Sequence, residues 1–307
     1  MCRLFGLSAG QQRVEATFWL LDAPDSMLRQ SRHNPDGTGL GTFDADGRPR
    51  IEKQPIAAYA DDDFAAQART RESATFVAHV RRSSGTALTD ENTHPFAGSI
   101  RTGGIERPCI FAHNGVIGDV PALENHLGQD MDRVHGDTDS ERWAALICRE
   151  IDACGDVVAG VTAAAEWIAA HLPVISANFI LATADELYAL RYPDTHELYL
   201  LIREHPANPL HHCSDMGTRV DSAHLANTGS VVIASESLDD EDWQEIAPGE
   251  LVHVSPQLEV TRTRILPARG PAGHPHHAAP TSATGRSPTP PSPAPERRHA
   301  HEKESMS

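Results

Sequence analysis

The chain has 307 residues, is 39% hydrophobic and carries a formal net charge of −17 at pH 7. That length and apolar content suffice for one large domain or two ordinary ones. The acidity argues against sequence-independent binding to nucleic acid or an anionic membrane, since both need basic patches to displace counterions. No run approaches a membrane span, and "LFGLSAG" is too short for the apolar core of a signal peptide. A soluble cytoplasmic protein with small-molecule partners is expected.

In chain order, the first notable residue is Cys2, directly behind the initiator methionine. Methionine is usually trimmed before a small second residue, which would leave a thiol and a free α-amine on one residue. Their ordinary pKa values, roughly 8.5 and 8, allow proton transfer between them near neutral pH. "VEATFWLLDAPDSMLRQS" has helical periodicity up to its internal proline. "RLFGLSA", "GLGTF", "TFVAHV", "CIFAHNG", "NFILATA", "ELYALRY", "ELYLLI", "SVVIAS", "ELVHVS" and "LEVTRTRIL" read as strands. Short polar links such as "ADE", "PDTH" and "PQ" favour antiparallel hairpins over parallel crossovers.

Two further helices are expected at "DSERWAALICREIDA" and "VVAGVTAAAEWIAAHL". The first places Trp143, Leu146, Ile147 and Ile151 on one face, with Asp137, Thr138 and Asp139 at its capped start. Strands at both ends with helices between them indicate an α+β fold. The end of the chain from Pro267 is rich in Pro, Ser, Ala and His, with almost nothing large and apolar to bury. Residues 267–307 are expected to be a disordered tail beyond a domain at 2–266. The five cysteines form an odd set without metal-type pairing, so no disulfide framework, metal or cofactor is called for, and the "HPHH" of the tail is at most an adventitious metal binder.

Five polar stretches stand beside these strands: "NPDGTGLG", "HVRRSSG", "ENTHPF", "AHNGVIGD" and "GDTDSE". Each can project polar groups from a sheet end into a cleft. Singly they are ordinary: Asn114-Gly115 reads as a hairpin turn, "GDTDSE" as a helix cap, and Arg81 as a strand arginine reaching solvent. "DGTGLG" lacks the lysine and helix signal of a phosphate-binding loop.

In this order, and with Cys2, the stretches resemble the class II glutamine amidotransferases, the N-terminal-cysteine branch of the N-terminal nucleophile hydrolases. "DGTGLG" is similar to the family's D-G-x-G turn, "HVRRSSG" to its H-x-R strand end, and "THPF" to its His-Pro segment. "HNG" is similar to its oxyanion element and "TDSE" to its T-D-[ST]-E. The resemblance implies a four-layer αββα sandwich with two antiparallel sheets. It implies Cys2 as nucleophile, its α-amine as base, and Asn114 with the Gly115 N–H as oxyanion hole. It implies Arg81 on the substrate carboxylate and Asp139 on its ammonium, with Ser84 as a further hydroxyl contact. His94 and His113 are expected to be structural, since the α-amine already fills the general-base role. Those types suit the chemistry, which needs a nucleophile, a proton shuttle, an oxyanion pocket and a two-pronged carboxylate clamp. Synthase-linked members carry an aromatic after the pocket arginine, where this chain has Arg82.

No synthase domain is expected to consume ammonia within the chain. The first functional expectation is therefore a stand-alone glutaminase-type amidotransferase, with a separate ammonia-accepting enzyme as a conceivable partner. The second is a γ-glutamyl hydrolase, of the kind that removes γ-glutamate from an ergothioneine-pathway intermediate. The third, a non-catalytic regulatory protein on the same fold, is disfavoured by the intact set of Cys2, Arg81, Asn114, Gly115 and Asp139.

Overall fold

The computed structural model describes residues 1–204, 210–213, 219–222 and 228–268, the two short middle segments by backbone alone. The described residues belong to one compact unit. The expected tail, apart from Pro267 and Ala268, lies outside the described residues.

β1 (Arg3–Ser8) starts directly behind Cys2 and its side chains alternate between two cores: Leu4 on one side, Phe5 and Leu7 on the other. The helix expected from Val14 up to Pro24 does not form as such. Val14 and Glu15 make a short strand, β2 (Val14–Glu15), paired with β5 (Glu72–Ser73). Four consecutive apolar residues, Phe18 to Leu21, are then all buried in a wide turn, with the Ala23 N–H reaching the Phe18 carbonyl at 2.7 Å. A segment apolar on every side has no solvent face to pattern a regular amphipathic helix. Pro24 follows, and only the single turn α1 (Met27–Gln30) resumes.

Next come β3 (Gly37–Phe43), β4 (Pro49–Gln54), α2 (Asp62–Thr70) capped by the Asp61 carboxylate, and β6 (Thr75–Arg81). β7 (Phe96–Thr102) turns back into the long β8 (Ile105–Ile117), followed by α3 (Val120–Leu127). α4 (Asp139–Cys154) begins at a Thr138 cap whose hydroxyl accepts from the Glu141 N–H at 3.2 Å, while the Glu141 carboxylate reaches back to the Gly136 N–H at 2.6 Å. It buries Trp143, Leu146, Ile147 and Ile151 as expected, and α5 (Val157–His171) packs beside it.

The chain closes with β9 (Val174–Ala182), β10 (Leu187–Arg191), β11 (Tyr199–Arg203), β12 (Leu210–Cys213), β13 (Arg219–Ser222) and β14 (Ser230–Ala234). β15 (Gln244–Glu245), β16 (Glu250–Val254) and β17 (Val260–Arg264) follow. One sheet has the order β15-β11-β14-β1-β6-β3-β4 and the other β17-β16-β10-β9-β8-β7. All pairings among the described residues are antiparallel.

The two sheets face each other across a core that includes Leu4, Val77, Ile110, Ile180 and Ile233. Phe5, Phe76 and Val80 on the far side of the first sheet pack with Trp19, Met27 and Phe64. Phe111, Phe179 and Leu181 on the far side of the second pack with α4 and α5. Period-2 alternation in strands buried on both faces thus builds the expected four-layer α+β sandwich.

Of the three polar links, "ADE" closes β9 onto β10 and "PQ" closes β16 onto β17. "PDTH" instead carries the chain from β10 in one sheet to β11 in the other. It is held by main-chain carbonyls: that of His196 accepts from Asn178 Nδ2 at 3.1 Å and from Arg191 Nε at 3.0 Å.

Candidate active site

β1 is the central strand of its sheet, and its pairing Arg3↔Val80 sets Cys2 beside Arg81 at the end of β6. The Cys2 sulfur accepts from the Arg82 N–H at 3.2 Å and lies 3.4 Å from the Arg82 carbonyl. Burial pushes this thiol up. The Arg82 N–H, the nearby amino terminus and Arg81 pull the other way, and Asp139 adds to the rise. Cys2 therefore rests as the neutral thiol. The amino terminus, here on Met1, is held below the usual α-amine range, chiefly by burial. Arg3 anchors this segment, donating to the carbonyls of Met1 and Cys2 and pairing with Glu236.

Arg81 is 3% exposed, and its guanidinium donates to Thr86 Oγ1 at 2.6 Å and the Ala87 carbonyl at 3.2 Å. Each of the other buried arginines has a carboxylate: Arg142 pairs with Glu124, Arg191 with Glu245 and Arg203 with Glu241. Arg81 has none within ion-pair distance among the described residues; burial works against its charge, and Cys2 and Asp36 offset this only through space. Its loop is stapled by Asp36, whose N–H donates to the Arg81 carbonyl and whose carboxylate accepts from the Ser83 N–H at 2.8 Å.

Asn114 and Gly115 are not a hairpin turn. They lie inside β8, paired with Asn178 and Ala177 of β9. Gly115 is required there, because a Cβ would sit 1.9 Å from the Ser176 carbonyl oxygen and 2.7 Å from His113 Nε2. The Asn114 amide donates to Ser235 Oγ at 3.3 Å, and the same hydroxyl accepts from the Leu4 N–H at 2.9 Å. One amide N–H is thereby tied to a point two residues from Cys2, and the second makes no hydrogen bond with a described residue.

His113 braces the region, with Nε2 3.1 Å from the Ser176 carbonyl and Nδ1 2.9 Å from Ser140 Oγ. A carbonyl can only accept, so Nε2 carries the proton and Nδ1 takes the Ser140 hydroxyl proton. Burial holds this imidazole down and therefore neutral. His94 stacks on His79 with centroids 4.2 Å apart, and burial drives His79 down to about 3.

Asp139 opens α4, and its carboxylate accepts from the Ile117 N–H at 2.7 Å. The register irregularity at Val116/Ile117 frees that N–H from the ladder. Ser84 is exposed and makes no hydrogen bond with a described residue, whereas Thr86, Ser83 and Asp36 brace the Arg81 loop. The structure brings Cys2 and Arg81 together at the end of one sheet, ties Asn114 in β8 of the facing sheet to them through Ser235, and sets Asp139 within electrostatic reach of Cys2. Ser84 is not drawn into this set.

Two antiparallel sheets between helices, with a cysteine heading the central strand, define the N-terminal nucleophile hydrolase fold. Residues 1–271 match the class II glutamine amidotransferase family, and the chain belongs to it. A γ-glutamyl-hercynylcysteine sulfoxide hydrolase of Mycobacterium tuberculosis is 28% identical over 283 residues, 88% of this chain and all of the relative. Among solved structures, a glutamine amidotransferase class-II domain protein from Silicibacter pomeroyi superposes with a TM-score of 0.57 at 19% identity, covering 87% of this chain and all of that one. Glutamine phosphoribosylpyrophosphate amidotransferase from B. subtilis superposes with a TM-score of 0.60 at 17% identity and 86% coverage of this chain. The chain spans about half, 49%, of the length of that enzyme. Among the described residues no helix is long and apolar enough to cross a membrane.

Proposed function

We propose that the protein hydrolyses a γ-glutamyl amide, of which glutamine is the simplest, through a γ-glutamyl thioester on Cys2. The observation that carries this reading is the buried Arg81 guanidinium without a carboxylate partner among the described residues, beside a cysteine. A substrate α-carboxylate completes it with two parallel hydrogen bonds, and Asp139 faces the substrate ammonium.

In the proposed reaction Met1 has been removed. The neutral Cys2 α-amine takes the thiol proton as the sulfur attacks the γ-carbonyl carbon. The second Asn114 amide N–H and the Gly115 N–H receive the oxyanion, a contribution worth about 3 kcal/mol per donor. The C–N bond breaks and the leaving amine departs with the proton returned by the α-amine. Water then attacks the thioester by the same proton route, releasing glutamate and the thiol. Asn114 is oriented through Ser235, which no local sequence signal connects to Cys2.

The test is product release from glutamine and a panel of γ-glutamyl amides by the Met-trimmed protein across pH. The Cys2 α-amine must be uncharged to take the thiol proton, so activity should rise with pH as that amine loses its proton, around the ordinary α-amine range of about 8. No turnover of any γ-glutamyl amide would remove the reading and leave the fold in a non-catalytic role.

A further inference from the structure

Arg82 is the residue whose main chain brackets the nucleophile, with its N–H 3.2 Å and its carbonyl 3.4 Å from the Cys2 sulfur. Its side chain is exposed, and it forms neither a hydrogen bond nor an ion pair with any described residue. Arg3, which follows Cys2 in the chain, is already committed to Glu236 and to two carbonyls. In an extended strand end consecutive side chains take opposite faces. Arg81 is buried and Arg82 faces solvent accordingly.

A γ-glutamyl group clamped at Arg81 runs to Cys2 and presents its scissile nitrogen beyond the sulfur, where the leaving amine must have an exit to water. The Arg82 charge acts on the amino terminus beside Cys2, and an unpaired cation on that side is poorly matched to ammonia and well matched to an anion. A second polar group stands near this region. His196 Nδ1 is buried without a hydrogen-bond partner, and its main chain is held by Asn178, directly opposite Asn114 in the ladder. Burial holds the His196 ring below the usual imidazole range, and the amino terminus, His113 and Arg3 push the same way.

We propose that Arg82 forms a leaving-group subsite, and that the preferred substrate is a γ-glutamyl amide whose leaving amine carries a carboxylate, as in a γ-glutamyl peptide. The inference rests on the Arg81–Asp139 clamp holding the glutamyl end.

It is tested with the full-length, Met-trimmed protein on a matched pair, γ-glutamylglycine and γ-glutamylglycinamide, with glutamine alongside. Wild type should favour the carboxylate over the carboxamide by about five-fold in kcat/KM at low salt, the scale of an exposed ion pair, with the preference shrinking as ionic strength rises. Arg82→Ala should reduce that ratio to near one, mainly through KM, and Arg82→Glu should invert it. Arg82→Lys should keep part of it, because a point charge suffices at an exposed site. Turnover of both peptides with equal efficiency in wild type would overturn the subsite while leaving the γ-glutamyl reading standing. So would a preference that survives Arg82→Ala. Turnover of none of the three substrates would overturn both.

Discussion

Cys2→Ala should abolish turnover, lowering kcat by on the order of 10⁴-fold or more, while the protein folds as before. The catalytic loss follows because sulfur is the only nucleophile at the head of β1, and removing the central member of a catalytic unit costs most of its rate enhancement. The structural cost is small. The sulfur's hydrogen-bonding contacts are with the Arg82 main chain, and a methyl group leaves β1 paired to β6 and β14. Loss of such a bond is worth about 1 kcal/mol. Steady-state assays beside a thermal melt separate the two effects. Activity retained in this variant would end the N-terminal nucleophile reading, and a collapsed melt would mean that Cys2 is a packing residue.

Arg81→Lys and Asp139→Asn should each weaken glutamyl substrates by about 1–3 kcal/mol, read as a rise in KM of roughly five- to 150-fold. Arg81→Lys is not conservative at this site. An ammonium cannot reproduce the two-pronged contact, and burying it beside Thr86 and Ala87 leaves donors less well placed. Asp139→Asn keeps an oxygen for the Ile117 N–H and so preserves the joint between β8 and α4, but it removes the charge proposed to face the substrate ammonium. The double variant should fall short of the summed losses because both groups grip one ligand. Unchanged KM values in both single variants would leave a cysteine hydrolase of unassigned substrate.

The strands were legible because residues buried on both faces still sort by parity. Leu4 and Phe5, or Ile110 and Phe111, go to different cores, and "TDSE" announces α4 through its cap. β7 was not legible as a strand. It is an edge whose Ala97 and Gly98 are exposed, so its apolar signal is thin. α2 and α3 were missed too. α2 opens with acidic residues and buries only Phe64 and Ala68, and α3 begins at Asp119 with a left-handed φ of 51° and a proline in its first turn. "HNG" was ambiguous because a turn and a close approach of two backbones both demand glycine. The neighbour that decides it, Ser176, is 61 residues away. Ser235 was out of reach of any local pattern, since its role appears only when β14 pairs with β1 and sets its hydroxyl between Leu4 and Asn114.

The most direct measurement is the intact mass of the wild-type protein, quenched in acid during turnover of a γ-glutamyl amide and then mapped by peptide. The account predicts a chain without Met1 that gains one glutamyl group, carried on the peptide beginning at Cys2 and lost on treatment with a thiol. A fully active chain that retains Met1, or an adduct that maps to another residue, would contradict it.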